Sequence, residues 1–241
     1  GYFEMEITKD HPVVFSGGIS EIETANLDQL FSEEADRRTP RDNFKHCLIN
    51  AAHQFLNKQG DESYVLAGYP WFKCRARDMF ISLPGLMLAI NETDKFETVM
   101  DTASKAIYEF MKGEPATLKV YEMEHPDVLL WAVWTIQQYA KMVSRDAARS
   151  KYGALLKDIM TYLAEGKHPN LRVCDNGLVY AQGRDKAITW MNAMSNGRPV
   201  TPRTGYIVEF NTLWYNALMF VGELLGEGGD TEFAGTLTQL A

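Results

Sequence analysis

The sequence predicts an all-α fold, and two observations support this. Apolar residues recur at helical spacing in about seven segments of the chain. No run keeps the strict alternation of apolar and polar residues that is typical of a long, half-buried strand. Some segments are apolar on one side and others on nearly every side, which indicates an outer layer of helices in contact with solvent and an inner, sandwiched layer.

Residues 1–38 do not fit this pattern. The run Pro12–Gly18 predicts a short strand and turn, and the rest is polar and acidic without a clear period. We therefore assign residues 1–38 to the tail of a preceding domain and a linker, and residues 39–241 to the helical domain. The chain starts without an initiator methionine and stops inside an apolar-periodic stretch, so we expect it to be a segment of a longer protein.

Three helices are predicted in the first part of the helical domain. The first begins at the capping Thr39, with proline at the next position, and is closed by Gly60. The second covers Met79–Ile90, with a kink expected at Pro84. The third spans Lys95–Met111, where seven apolar side chains form one stripe: Phe96, Val99, Met100, Ala103, Ala106, Ile107 and Phe110.

Four further helices follow. One runs from Pro126 and Asp127 to Val143 and is apolar on nearly every side, as expected for an inner helix. The others cover residues 150–163, residues 212–225 and a stretch that starts at Asp230. Between them lie about 45 residues, 165–211, rich in Gly and Pro, and loops of this length are often functional. We predict an excursion over the mouth of the helical array, with short strands such as Leu178–Ala181.

Composition and charge exclude several classes of function. The chain has 24 Lys and Arg against 32 Asp and Glu, a formal net charge of −8, and no basic cluster, so we expect no nucleic-acid partner. The longest apolar runs are about half of the ~20 residues that cross a bilayer, so we expect no membrane span. Cys47, Cys74 and Cys174 are widely spaced and odd in number, which favours a reducing, cytoplasmic compartment. Scattered histidines and the absence of a Cys-x-x-Cys pair predict no metal site and no cofactor.

The stretch Ala67–Leu86 carries the first chemical signal. Arg77 and Asp78 stand side by side directly before an apolar run, and Trp71 lies shortly upstream. A guanidinium with five donors beside a carboxylate acceptor suits a ligand with many hydroxyls, and the aromatic rings offer flat faces for a sugar. The alternative is a first-turn carboxylate that stabilises a helix N-terminus beside a balancing cation.

Four sequence blocks resemble the C-terminal catalytic region of glycogen debranching enzymes, the amylo-α-1,6-glucosidase family. In chain order they are AGYPWF…RD…ISLPGL, HPDVLLW, AITWMNA and PRTGYIVEFNTLWYNAL. The resemblance implies a glucoamylase-like (α/α)6 toroid, of which this chain would hold a partial ring. It also implies inverting hydrolysis of α-1,6-linked glucose in glycogen-like glucan. That chemistry needs one protonated and one ionised carboxyl, roughly 6.5–9.5 Å apart.

The resemblance also assigns roles to individual residues. Arg77 and Asp78 match a pair expected to grip the terminal glucose, and Trp71 matches its aromatic neighbour. Asp127 and Glu209 match the acidic residues of two further blocks and are candidate catalytic carboxyls. The full set of substrate-binding candidates is Trp71, Arg77, Asp78, Trp190, Arg203, Asn211 and Trp214.

Departures from the family pattern put the chemistry in doubt. Asn192 stands where we take the family's aspartate to be the general acid, and an amide does not deliver a proton at neutral pH. The segment Lys73–Ala76 replaces Gly-Asp-Trp-Gly, which removes an acid and an aromatic and adds two cations. The expected general base lies in a block beyond Ala241. The remaining carboxyls that could act instead are Asp78, Asp127, Asp185 and Glu209.

Three functions therefore stay open. The first is a debranching-type hydrolase weakened by Asn192, the second a related protein that binds α-glucan without turning it over, and the third a helical scaffold with no carbohydrate role. Core packing is the alternative role for Trp131 and Trp214, and a first-turn helix carboxylate is the alternative for Asp127. Glycogen or a related α-glucan is the expected partner. An incomplete ring exposes an apolar inner surface, so we also expect self-association.

Overall fold

The computed structural model describes residues 2–18, 23–68, 71–183 and 185–241. Eight α-helices and six short strands lie in these ranges, which confirms the prediction of a mostly helical fold. The chain divides into two compact units, Gly1–Ala51 and Ala52–Ala241. The assignment of residues 1–38 to a preceding domain stays a prediction.

The unit Gly1–Ala51 contains a helix that the apolar pattern did not predict. This helix, α1, spans Leu27–Arg37 and buries none of its residues. Its apolar side chains Leu27, Leu30 and Phe31 share one face but cover only about one turn of an otherwise polar segment, which is too short a period to predict a helix. Side-chain pairs along its surface support it, including a 2.8 Å hydrogen bond from Gln29 to Glu33. The predicted strand over residues 12–18 is wrong, because among residues 2–18 only an isolated bridge joins Thr8 and His11.

Helix α2 spans Phe44–Gln54 and is shorter than predicted at both ends. The side chain of Asn43, not that of Thr39, accepts a hydrogen bond from the His46 backbone N–H (2.9 Å) and so caps the helix. Gly60 does not close it. Instead, the chain forms an antiparallel hairpin of β1 (Leu56–Gln59) and β2 (Glu62–Val65), and Gly60 takes the positive φ of 61° that this turn requires.

Six helices build the unit Ala52–Ala241. They are α3 (Ala76–Met87), α4 (Thr93–Lys112), α5 (Val128–Met142), α6 (Arg145–Ala164), α7 (Val208–Glu227) and α8 (Thr231–Leu240). Helices α3, α5 and α7 pack side by side in that order, whereas α4, α6 and α8 pack against this inner row. The inner helices carry much of the buried core, as the sequence predicted for the segment after Asp127.

Three helices start three or more residues earlier than predicted, and the local chemistry explains one of these starts. Helix α6 begins at Arg145 rather than near residue 150, because the Ser144 hydroxyl accepts a hydrogen bond from the Ala147 backbone N–H and caps it. Helix α3 begins at Ala76, which places Arg77 and Asp78 in its first turn. Helix α7 likewise begins at Val208 instead of Thr212, so Glu209 lies in a first turn.

The long excursion after α6 contains short strands, as predicted. Strands β3 (Leu171–Val173) and β4 (Val179–Ala181) form one antiparallel hairpin, and β5 (Met194–Ser195) and β6 (Arg198–Pro199) form another. None of the helices in the described ranges combines the length and the apolar character that crossing a bilayer requires.

Pro84 lies inside α3 and removes one hydrogen bond from this helix. Proline has no N–H, so the carbonyl of Phe80, one turn earlier, lacks its usual helical donor. The Thr135 hydroxyl of α5 lies 2.7 Å from this carbonyl oxygen and 2.8 Å from that of Trp131, so its single proton can be donated to Phe80 in place of the missing N–H. Since Phe80 and Thr135 are both fully buried, this contact fixes α5 against α3 in the core.

Candidate functional site

The N-terminal ends of α3 and α5 lie together. Arg77 in the first turn of α3 bonds to Asp127, the residue that immediately precedes α5. Further along both helices, Phe80 contacts Thr135. The two helices therefore run in the same direction, and their N-terminal ends open toward the same side.

The Arg77 guanidinium is held by protein groups on two of its three nitrogens. Its Nε and Nη2 atoms donate to the two carboxylate oxygens of Asp127, each at 2.8 Å. Nη2 also lies 3.1 Å from the carbonyl oxygen of Ile188 and 3.0 Å from Nδ1 of His125. Arg77 is 5% exposed and Asp127 2%, so this is a buried, bidentate ion pair. Sugar binding by Arg77 stays a prediction, and Nη1 is the nitrogen with no partner among the described residues.

His125 is a site residue that our sequence reasoning did not single out, although it lies in the HPDVLLW block. A guanidinium can only donate, so Nδ1 of His125 accepts from Arg77 and the ring proton is on Nε2. Burial, followed by the nearby positive charge of Arg77, lowers the pKa of His125 from 6.5. The imidazole is therefore neutral near pH 7 and keeps an Nε2–H donor beside the ion pair.

A second cluster joins Trp190, Arg203 and Glu209. The Arg203 guanidinium binds both carboxylate oxygens of Glu209, one of them at 2.9 Å, and lowers the pKa of that carboxyl. A hydrogen bond with the Trp190 side chain lowers it further. Glu209 is thus an ionised carboxylate at neutral pH and not a proton donor. The Trp190 side chain is 62% exposed, so much of its surface remains free for a ligand.

The segment from Ile188 to Trp190 connects the two clusters. The Ile188 carbonyl contacts Arg77 of α3, and the Trp190 side chain contacts Glu209 of α7. The N-terminal end of α7 is thereby tied to the ends of α3 and α5. Asn192 follows Trp190 by two residues, so their Cα atoms are at most about 7 Å apart.

Three further predicted residues are, like Trp190, exposed to solvent. Trp71 is 84% exposed, and both Asp78 and Asn192 are also exposed. Asp78 follows Arg77 in the first turn of α3, but its side chain is on the exposed side of the helix, whereas that of Arg77 is buried. These side chains are free to meet a ligand.

Asn211 and Trp214 instead attach the β3–β4 hairpin to α7. The Asn211 amide bonds to both the N–H and the carbonyl of Val179, at 2.8 and 3.0 Å. The indole of Trp214 donates to the Gly177 carbonyl (3.1 Å) and is 2% exposed, in agreement with core packing. Trp131 is partly buried, and its indole donates to Asp127 (3.1 Å), which gives the buried carboxylate a third hydrogen bond.

The arrangement suits recognition of hydroxyl groups more readily than proton transfer. It combines a neutral imidazole donor, the exposed Asp78 carboxylate and exposed indoles, while the two predicted catalytic carboxylates, Asp127 and Glu209, are each paired with an arginine. Within the ranges that the structure describes, no group of His, Cys, Asp or Glu side chains converges to hold a metal ion.

Comparison with known protein families supports the family resemblance of the sequence blocks. The family model described as Amylo-alpha-1,6-glucosidase matches residues 50–233, which include every site residue named above. Comparisons with curated proteins and with solved structures returned no match. The family match covers most of the chain and confirms the resemblance of the four sequence blocks. The chain therefore belongs to the amylo-alpha-1,6-glucosidase family and is related to glycoside hydrolases.

Proposed function

We propose that the chain is a debranching-type glycoside hydrolase, an amylo-α-1,6-glucosidase that removes α-1,6-linked glucose from glycogen-like glucan with inversion. One observation carries the proposal. The segment that runs from Ile188 to Trp190 links the Arg77–Asp127–His125 cluster to the Trp190–Arg203–Glu209 cluster, inside the region that the family model matches.

Each part of the site has a role in this proposal. Asp78 accepts hydroxyl hydrogens of the terminal glucose, and Trp71 and Trp190 cover the faces of the sugar. The Arg77–Asp127 pair fixes His125, whose Nε2–H donates to the substrate. Glu209, kept ionised by Arg203, stabilises positive charge that develops at the anomeric carbon.

A second candidate is a protein of the same family that binds α-glucan without hydrolysing it. Asn192 occupies the position of the general acid. Asp127 is buried in its ion pair with Arg77, and Arg203 lowers the pKa of Glu209, so neither carboxyl is placed to replace that acid. The loss of general-acid catalysis lowers hydrolysis roughly 10²–10⁴-fold. This candidate has the same binding site and differs only in turnover.

Release of glucose from branched limit dextrin separates the candidates. We expect glucose release by the unchanged protein, loss of release in Asp78→Asn, and a rise of about 10²-fold or more in Asn192→Asp, which restores an acid. Asn196→Asp makes the same chemical change on the exposed β5–β6 turn and is expected to leave release unchanged.

The outcomes differ for each function. Binding of the dextrin in calorimetry with release only in Asn192→Asp favours the non-hydrolysing binder. No binding of any glucan by calorimetry contradicts both candidates and leaves a helical scaffold. Cell fractionation tests the cytoplasmic location, which the three free cysteines favour.

We further propose that α3–α8 are part of an (α/α)6 toroid and that the incomplete ring self-associates. Helices α3, α5 and α7 form an inner row with α4, α6 and α8 packed against it, the alternation that such a ring needs. Exposed apolar residues on the inner helices include Ile81 (40%), Val208 (76%) and Tyr215 (55%). Light scattering on the chain tests this, and a monodisperse monomer contradicts self-association.

A further inference from the structure

A cavity of about 590 Å³ is lined in part by residues 120–124, which directly precede His125. It is enclosed by the C-terminal half of α4, the connection that follows α4 and the segment around Lys73 and Arg75. Its volume is within the range of sites that bind small molecules, about 300–1,000 Å³. Neither cluster of the candidate site contributes a side chain to it.

The cations at Lys73 and Arg75, which replace residues of the family pattern, both line this cavity. The Lys73 ammonium lies 4.6 Å from the centre of the Tyr121 ring, and the Arg75 guanidinium lies 4.9 Å from the centre of the Phe72 ring. Nε of Arg75 is also 3.4 Å from the Glu122 carboxylate. A cation–π contact needs no hydrogen-bond acceptor, so the N–H groups of the Lys73 ammonium stay available to donate to a ligand.

The carboxylates of the cavity divide into occupied and available groups. Glu109 accepts hydrogen bonds from the backbone N–H and the hydroxyl of Thr117, and Glu122 pairs with Arg75. The side chains of Glu114 and Glu124 have no hydrogen-bond partner among the described residues. The site therefore offers free acceptors at Glu114 and Glu124 opposite a free donor at Lys73.

The lining restricts the chemistry of the ligand. The cavity is lined by four carboxylates and two cations, and this excess of negative charge repels an anion such as a phosphate ester. The charged rim disfavours a wholly apolar molecule, whereas the apolar floor of Phe110, Leu118 and Val120 suits the C–H face of a ring. A neutral molecule with a ring face, donors and acceptors satisfies all three conditions.

We propose that this cavity is a second binding site for a neutral, hydroxyl-rich ligand of one or two sugar units, gripped between Lys73 and the carboxylates of Glu114 and Glu124. The site is separate from the proposed hydrolytic site and does not depend on it. The Tyr121 backbone pairs with Cys74 and with Ala76, the first residue of α3, and His125 follows four residues later. A ligand in the cavity thus supports the two segments that lead into Arg77 and Asp127.

Titration of the full chain with maltose, followed by calorimetry, tests the proposal. Ala116→Trp places a bulky ring in the cavity at an exposed position and is expected to abolish binding there. Lys73→Met is expected to weaken it about tenfold, because one charged hydrogen bond is lost. Lys105→Met removes an exposed lysine that does not line this cavity and is the matched control.

Asp78→Asn separates the two sites. We expect the maltose binding that Ala116→Trp removes to persist in Asp78→Asn, whether or not the protein releases glucose from dextrin. Saccharide binding that Asp78→Asn abolishes and Ala116→Trp leaves intact would overturn the proposal. So would an effect of Lys105→Met equal to that of Lys73→Met, or binding of inorganic phosphate or spermidine in place of maltose.

Discussion

Arg77 and Asp127 are fifty positions apart in the chain and form a bidentate ion pair with two 2.8 Å hydrogen bonds. The pair is almost completely excluded from water. The two charges balance each other. The Trp131 indole makes a further hydrogen bond with Asp127, and the Ile188 carbonyl makes one with Arg77. The pair links the first turn of α3 to the start of α5 and to the long loop before α7.

Removal of one partner of this pair is expected to be strongly destabilising. Asp127→Asn leaves the buried guanidinium without its counter-charge and should lower the free energy of unfolding by about 3–5 kcal/mol. Urea denaturation measures the change. The matched control is Glu227→Gln, which breaks the exposed pair with Arg145 and should cost about 1 kcal/mol or less. Equal costs for the two variants would contradict a structural role of the buried pair.

His125 allows its two ring nitrogens to be tested separately. In His125→Asn the shorter amide oxygen replaces Nδ1 and keeps an acceptor for Arg77, but no donor remains at the position of Nε2. We expect near-normal stability and saccharide binding weakened about tenfold. His125→Gln should have the opposite effect, because its longer amide reaches the position of Nε2. Denaturation and calorimetry on both variants check this, and the same loss of binding in both would argue against an Nε2–H contact.

The Thr135 hydroxyl is predicted to compensate for the proline in α3. Thr135→Val leaves the buried Phe80 carbonyl without a donor and should cost about 1–3 kcal/mol in the free energy of unfolding. Pro84→Ala restores an N–H to that carbonyl, so it should recover part of this loss in the Thr135→Val background. A double-mutant cycle measures the coupling. Thr236→Val, at an exposed position of α8, is the control and should change the free energy of unfolding little. Strictly additive effects of Thr135→Val and Pro84→Ala would refute the compensation.

Stability is expected to fall in mild acid because of His168. Burial lowers the pKa of His168 from 6.5 to about 4. The unfolded chain therefore binds a proton that the folded state does not. Protonation of His168 therefore favours the unfolded chain. Above pH 6.5 the residue is neutral in both states, and the free energy of unfolding has its full value. As the pH falls from 6.5 toward 4, the free energy of unfolding decreases by about 3 kcal/mol in total.

Urea denaturation between pH 7 and pH 4 measures this loss. In His168→Asn the amide oxygen can still accept from the Asn170 N–H, which Nδ1 of His168 does in the folded chain at 3.1 Å. The variant cannot titrate, so its free energy of unfolding should fall less steeply with pH than that of the unchanged protein. Identical slopes for the two proteins would show that His168 does not carry this pH dependence.

Local signals were sufficient to predict most helices of the larger unit. Helices α4 and α5 lie within two residues of their predicted bounds, because their apolar stripes and flanking residues are encoded in adjacent positions. Asp230 was the predicted start of α8, and its side chain does cap the helix. Helix α1 was not predicted in this way, because its apolar residues Leu27, Leu30 and Phe31 cover only about one turn.

The candidate site was only partly predictable for a related reason. Sequence blocks identified Arg77, Asp127, Trp190 and Glu209 as residues with chemistry, and the family match agrees with the blocks. They did not indicate that Arg77 bonds to Asp127 and His125, or that Arg203 neutralises Glu209. Which side chains form hydrogen bonds depends on which helix ends pack together. Residues that are far apart in the chain give no local sequence signal of that packing.

The sequence by itself determined the helical class, the positions of most helices and the family, since each depends on short-range periodicity or on ordered motifs. Only the tertiary structure decided that Trp214 packs in the core, that Thr135 replaces the donor missing at Pro84, and that Lys73 borders a cavity. The physical reason is that burial and hydrogen-bond pairing are properties of surfaces brought together by packing. The sequence around a residue determines its local secondary structure, whereas the side chains packed around it in space determine its burial and its hydrogen-bond partners.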